Sequence, residues 1–317
     1  MILVVGSARD GHVAAVSKWF DLSAVEYRIV DPFNSSSNGW SITLTSKVHL
    51  AINGANPLSS APTVVWWRLK PAYVMATESI DAFYDQTFAL REWGITLDSI
   101  ASIYPAAKWI NPRASLANNK LHQLTVATSV GLDVPRTLVS NSPEEAKHFL
   151  RSLEGKGCIH KTLSPYISPM GRMKYTTCIS DSQISELANE LSLCPNVFQE
   201  QLNPDYELRI MIVGGSVFAT RIDSSDRTTP DWRREMDADM YSPVLLPKEL
   251  EGQLLLLHQR LGLIIGAYDV IVARDGTPYF LEVNPAGQWL WIEEKTGQEI
   301  TRAVAELLAA RDTASSH

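Results

Sequence analysis

Between residues 208 and 283 the chain spells two tight hairpins separated by one leucine-striped helix, and few folds accommodate that order. Leu208-Arg209-Ile210-Met211-Ile212-Val213 runs into Gly214-Gly215, and residues 216–222 return. Paired glycines take the positive φ of a primed two-residue turn at no steric cost. Residues 248–261 place Leu250, Leu254, Leu257 and Leu261 on one helical stripe, and Gly262 closes it. Residues 267–272 and 278–283 form the second strand pair around Asp275-Gly276. A last helix over 299–310 is expected to pack through Ile300, Val304 and Leu307.

The first hundred residues follow another pattern. Short apolar runs at 2–5, 27–30 and 63–69 alternate with helical patterns at 12–20 and 79–93, the second expected to end at Gly94. That alternation predicts a mostly parallel α/β sheet, with a loop over the Ser/Asn/Gly cluster at 34–39. Gly6-Ser7-Ala8-Arg9-Asp10 lacks the three-glycine dinucleotide fingerprint and reads as a strand-to-helix turn.

A further unit opens near Pro112. Ser115 is expected to cap a helix reaching Ser129, with Gly131 after it. Ser142, Pro143 and Glu145 form a capping-box pattern with proline at the first helical position. A strand at 158–163 should pair with one at 175–179 across a Pro/Ser/Gly-rich connection, 164–174. Asp181 begins another helix, followed by an apolar run at 197–202.

At 317 residues the chain exceeds the roughly 250–300 at which a single core stops growing, so two or three subdomains are expected. The apolar opening stops at Gly6, and no run nears the roughly 18 apolar residues of a membrane span. A cytoplasmic protein with no membrane partner is expected. A formal charge of -7 supplies no basic field for nucleic acid, and no such partner is expected. Cys158, Cys178 and Cys194 lack metal-site spacing and read as buried small hydrophobes.

Several polar residues interrupt the apolar strands. Asp269 and Glu282 lie on partner arms of the second hairpin, where an unpaired buried carboxylate is costly. Asn284, two residues on, falls on the face of Glu282 if the strand continues. Together they offer the oxygen ligands magnesium prefers, with nucleotide phosphates completing the set. A partly solvated sheet edge with three unrelated polar residues is the plainer alternative. Lys161 sits inside an apolar strand and asks for solvent or an anion, whereas Lys120 reads equally as a solvated helix lysine. Arg209 and Arg221 suit bidentate contact with phosphate or carboxylate, or pairing with a nearby acid. Gln199, Glu200 and Leu202 occupy an expected linker that offers backbone hydrogen bonds and apolar cover.

These elements together resemble an ATP-grasp enzyme, and most closely the graspetide synthetases, the microviridin-type peptide ligases. The resemblance is carried by Tyr268-Asp269-Val270 and by Phe280-Leu281-Glu282-Val283-Asn284-Pro285-Ala286-Gly287-Gln288-Trp289-Leu290-Trp291-Ile292-Glu293. Val197-Phe198-Gln199-Glu200, Leu208-Arg209-Ile210, Trp109-Ile110-Asn111-Pro112 and Asn119-Lys120-Leu121 extend it over about residues 105–300. It implies an α/β protein with an amino-terminal pre-ATP-grasp domain (1–112), a central subdomain (113–198), a carboxy-terminal subdomain (199–312) and a tail (313–317). Asp269, Glu282 and Asn284 would hold Mg2+, while Lys120 and Lys161 would hold ATP phosphates. Gln199, Glu200 and Leu202 would line the adenine pocket, and 164–174 would be the loop over ATP.

Arg209, Arg221 and Glu282 would serve catalysis, the arginines by steadying phosphate or acyl-phosphate charge. Glu207 stands where such proteins often have Asp before the arginine. The implied reaction activates a carboxylate as an acyl phosphate, which a side-chain hydroxyl or amine of the same ribosomal precursor peptide then attacks. A leader segment of that peptide would bind away from the reacting centre, and a homodimer accords with the resemblance. His160 and His258 are base candidates by chemistry, with structural roles favoured. Two rivals share the nucleotide site: a ligase joining an amino acid or amine to a separate protein, peptide or metabolite carboxylate, and a non-catalytic ATP-binding scaffold.

Overall fold

The computed structural model describes residues 1–31, 41–44, 48–51, 61–69, 80–116, 119–163, 176–223 and 240–313. The expected loops at 34–39 and 164–174 and the end of the tail lie outside them.

The first unit holds β1 (Ile2–Val5), α1 (Gly11–Leu22), β2 (Tyr27–Val30), β3 (Ser41–Leu44), β4 (Val48–Ala51), β5 (Val64–Trp67), α2 (Ile80–Ile103) and β6 (Lys108–Ile110). β2-β1-β5-β6 form a wholly parallel sheet, and β3 and β4 pair as a separate hairpin. Ile2, Leu3, Val4 and Val5 are all fully buried, as both-sided cover of a parallel strand requires. Asp10 caps α1 by accepting from the His12 N–H.

Next come α3 (Arg113–Leu116), α4 (Lys120–Ser129), β7 (Thr137–Ser140), α5 (Pro143–Ser152), β8 (Cys158–Lys161), β9 (Thr177–Cys178), α6 (Asp181–Glu186), α7 (Ala188–Leu191) and β10 (Asn196–Glu200). The order β7-β10-β8-β9 makes an antiparallel sheet whose Phe198 and Cys158 pack against α5 and α6. Ser142 caps α5, and a complete capping box forms at Ser180 and Gln183.

The last unit contains β11 (Pro204–Val213), β12 (Ser216–Asp223), β13 (Tyr241–Val244), α8 (Lys248–Arg260), β14 (Ile265–Ala273), β15 (Pro278–Asn284), α9 (Leu290–Thr296) and α10 (Ile300–Thr313). Its five-stranded antiparallel sheet runs β13-β12-β11-β14-β15. One face packs Leu208, Ile210 and Tyr268 against the leucine stripe of α8 and against α4. The other shares one core with the first unit, where Met211, Val213 and Ala267 meet Ile2, Val4, Ile110 and α10.

Three local expectations are corrected. Gly94 does not end α2, which continues to Ile103. Burial of Leu97 and Ile100 in the next turns outweighs the roughly 1 kcal/mol cost of a helical glycine. Ser115 caps no long helix: its hydroxyl turns back to the Pro112 carbonyl at 2.7 Å, and Asn119 caps α4. Cys158 is buried, which pushes its thiol up to about 11, but Cys178 and Cys194 are exposed.

Candidate active site

The register of β14 and β15 sets Asp269 directly opposite Glu282. A bulge follows, so Val270 faces Phe280 and one extra residue lies in β15. β15 runs on to Asn284, whose Nδ2 donates to Glu282 Oε1 at 3.3 Å. On the other side of β14, Arg209 lies opposite Asp269 and its Nη1 donates to Oδ1 at 2.7 Å. Lys120, in the first turn of α4, places Nζ 3.0 Å from Glu282 Oε2. Burial opposes ionisation of Glu282, yet Lys120, Lys161 and the Asn284 amide together hold its pKa below the usual carboxylate value.

The small sheet supplies the facing charges. Lys161 Nζ donates to Gln199 Oε1 at 2.8 Å, and Gln199 Nε2 donates to Thr137 Oγ1 at 2.8 Å. Burial pushes Lys161 down to about 8, Lys120 adds to the depression, and Glu282 opposes it. Lys120, Lys161 and Glu282 thus act on one another across the gap between the two sheets. The Glu200 side chain is buried, accepting from the Arg136 N–H at 3.0 Å with Lys156 Nζ 3.5 Å away. The backbone N–H groups of Glu200 and Gln201 go to the Arg136 and Gly157 carbonyls. Leu202 is the first residue whose backbone N–H makes no such bond among the described residues.

Arg221 is set apart from this group. It lies opposite Leu208, on the sheet face turned away from Arg209 and Asp269. Its Nε donates to Asp223 at 2.7 Å and its guanidinium sits 3.9 Å from the Tyr206 ring centroid. His160 bonds Asn196 at 3.0 Å. His258 meets the Tyr268 hydroxyl at 2.9 Å, with burial pushing its pKa to about 4. Both histidines have structural partners.

Sequence reasoning missed Gln123. It lies one turn beyond Lys120 and is 4 % exposed, and its amide takes both backbone groups of Val283. Nε2 donates to the Val283 carbonyl at 3.0 Å and Oε1 accepts its N–H at 2.9 Å. β15 is an edge strand, so this side chain replaces a missing strand between Glu282 and Asn284. His12 and Arg68 were missed too, and Asn111 was singled out only within its motif; all three hold the turn after Asn284.

Among the described residues, no group of three or more His, Cys, Asp or Glu is placed to hold a metal. Two carboxylates and an amide oxygen nevertheless form a hard-cation donor set, to be completed from outside the protein. Lys120 and Arg209 balance those carboxylates, which leaves the half-buried Lys161 ammonium as the charge suited to an added anion. Oxygen donors on one sheet and a desolvated lysine on the other fit a magnesium–polyphosphate group.

No protein-family model matches the chain. A probable alpha-L-glutamate ligase of Teredinibacter turnerae is 24 % identical over 199 residues, 61 % of this chain. The match spans 64 % of that relative's length. Among solved structures, macrocyclase MdnC of Microcystis aeruginosa MRC, bound with precursor peptide MdnA, is 28 % identical with a TM-score of 0.82. The match covers 97 % of this chain and 99 % of that one. A RiPP-associated ATP-grasp ligase of Chryseobacterium gregarium, in complex with ADP and a leader and core peptide, is 25 % identical. Its TM-score is 0.81, with 98 % of each chain covered.

The architecture is that of the ATP-grasp superfamily. Along nearly its whole length the chain is similar to RiPP-associated ATP-grasp ligases and macrocyclases. Among the described residues, no helix is long and apolar enough to cross a membrane.

Proposed function

We propose that this chain is an ADP-forming ligase that joins side chains within a ribosomally made precursor peptide, through an acyl phosphate, as esters or amides. The observation that carries the reading is the meeting of Asp269, Glu282 and Asn284 with Lys120, Lys161 and Arg209. They meet in a fold that matches a peptide-bound macrocyclase along nearly its whole length. Residues 1–112, 113–198 and 199–312 serve as the pre-ATP-grasp domain and the two grasp subdomains. The protein works in the cytoplasm, where ATP and new peptide meet.

Lys161 and Lys120 bind the polyphosphate as point charges, and the segment from Gln199 to Leu202 receives the base. A peptide carboxylate attacks the terminal phosphorus of ATP, the bond to the bridging oxygen breaks, and ADP leaves. Arg209 presents fixed donors to the charge that gathers on the phosphoryl oxygens, so no solvent has to reorganise there. Asp269, Glu282 and Asn284 are the residues that would hold magnesium, which screens the phosphate charge when bound. A side-chain hydroxyl or amine then attacks the acyl carbonyl, phosphate departs, and its proton passes to solvent or to a phosphate oxygen. Tethering both groups on one peptide raises their effective concentration. Arg221, already engaged by Asp223 and Tyr206, acts at most from the outer end of the sheet.

The deciding experiment mixes the purified protein with ATP, magnesium and the precursor peptide encoded beside it. Loss of one water mass per linkage, matched by ADP, is expected. A second reading, attachment of a free amino acid to a separate carboxylate, draws on the glutamate-ligase relative. Turnover with a separate amine donor and no intramolecular dehydration would establish it instead, and ATP binding without ADP release would reduce the chain to a scaffold.

A further inference from the structure

The turn after Asn284 is held by side chains rather than by a backbone ladder. Asn111 Nδ2 donates to the Pro285 carbonyl at 3.0 Å. Arg68 Nη1 donates to the carbonyls of Ala286 at 2.6 Å and Gly287 at 2.7 Å. Arg209 Nη2 donates to the Gln288 carbonyl at 3.2 Å. His12 Nε2 then accepts the N–H groups of Trp289 at 2.9 Å and Leu290 at 3.2 Å. Successive backbone groups from 285 to 290 are met by four buried side chains, three of which belong to the amino-terminal unit.

The supports of this socket are themselves fixed. Because His12 Nε2 accepts, the ring proton lies on Nδ1 and is donated to Asp10 Oδ1 at 2.9 Å. The other Asp10 oxygen lies 3.4 Å from Arg68 Nε. Arg68 is 2 % exposed with its guanidinium 4.8 Å from the Trp289 ring centroid, and the His12 ring meets the same indole edge-on. A Cβ at Gly287 would collide with Ala267, so the turn is pressed onto β14 as well. Burial pushes Arg68 down to about 10 against the pull of Asp10. A buried guanidinium is a costly way to pack two units when apolar residues would serve.

What it obtains is position. Arg209 bonds the turn with one nitrogen and Asp269 with the other, and Asn284 begins the turn. We propose that Arg68 and His12 are positioning residues through which the amino-terminal unit sets the placement of Arg209 and Asn284. The proposal rests on the ligase reading for its rate effect, but the socket can be tested without turnover.

The full chain is compared with His12→Leu, His12→Gln and Arg68→Lys. The readouts are hydrogen exchange at the Trp289 and Leu290 amides, magnesium-dependent ADP binding, and kcat and KM well below the melting temperature. His12→Leu is expected to speed both exchanges at least tenfold and to weaken the tightening of ADP by magnesium. It should lower kcat about 10- to 100-fold, as losses of orienting partners do, with KM for ATP nearly unchanged. His12→Gln, which keeps an acceptor oxygen, should recover most of each effect. Arg68→Lys keeps the charge without the fork and should fall between wild type and His12→Leu in kcat. A lower melting temperature with kcat and ADP binding intact in both His12→Leu and Arg68→Lys would overturn the proposal, as would unchanged amide exchange in His12→Leu. Absence of ligation by the wild type would sink the ligase reading, while exchange and ADP binding would still decide the socket.

Discussion

The two antiparallel sheets that face each other across the candidate site handle charge in opposite ways. On the large sheet every proposed metal ligand already has a partner: Asp269 has Arg209, and Glu282 has Lys120 and Asn284. On the small sheet Lys161 donates to the neutral amide of Gln199, and its pKa has fallen to about 8. Under the proposed function the two sheets would receive different groups. A sheet that receives a cation can hold its carboxylates ionised beside lysine and arginine until the cation arrives. A lysine that must meet a polyanion gains most if the empty protein leaves its charge poorly solvated.

The largest effect should come from the large sheet. Glu282→Gln removes one of two carboxylates from the donor set, and turnover is expected to fall at least about 10²- to 10³-fold. The Lys120–Glu282 pair is partly exposed, so stability should change by no more than about 1 kcal/mol. ADP release and peptide mass, measured beside a melting curve, test both halves. Normal magnesium-dependent turnover would end the contrast between the sheets.

Gln123→Leu probes how the ligands are carried. It strips the Val283 N–H and carbonyl of their partners inside a closed edge, at about 1–3 kcal/mol for each group. A stability loss of about 2–6 kcal/mol in urea unfolding is expected. A loss below about 0.5 kcal/mol would mean that water replaces the amide and that the edge is open.

How far the sequence foretold these features depends on the range of the interactions. Asp269 and Glu282 were legible together because each breaks a period-two apolar run and Asp275-Gly276 fixes the pairing, although the bulge beside them was not foreseen. The hairpin at Gly214-Gly215 also contained the fate of Arg221. Val213 faces Ser216, so Arg209 must face Thr220 and Arg221 must point the other way. That parity is contained in the sequence. The extent of α2 was lost because a local glycine rule competes with burial of Leu97 and Ile100, which only the folded chain reveals. Gln123, Arg68 and His12 left no signal, since each holds backbone atoms 160 to 278 positions away, and any residue type but proline supplies those atoms.

Lys161→Met sharpens the contrast from the other side. Nucleotide binding should weaken about 10- to 100-fold, the worth of one charge-assisted hydrogen bond to phosphate. The empty protein should be as stable as wild type or more so, because a poorly solvated ammonium is replaced by an apolar chain of similar length. Titration calorimetry with ADP and thermal melting test the pair of outcomes. A large loss of stability would show that Lys161 is held for the fold.

The smallest effect, and the most specific, is in pH. The folded-state value of about 8 lies below the ordinary 10.5, so between those limits the unfolded chain binds more protons than the folded one. Stability contributed by this site therefore rises with pH across that window, and the penalty of the buried charge is fully present below about 8. Nucleotide affinity should run the opposite way, level below about 8 and falling toward tenfold per unit above it as the ammonium is lost. The pH that relieves the empty protein thus weakens its hold on phosphate, and Lys161→Met should abolish both trends together. Affinity that stays level to pH 9.5 in the wild type would mean that binding takes up no proton at Lys161, because the ammonium persists in the empty protein or because the phosphate does not meet it. In either case the depressed value would play no part in holding the nucleotide.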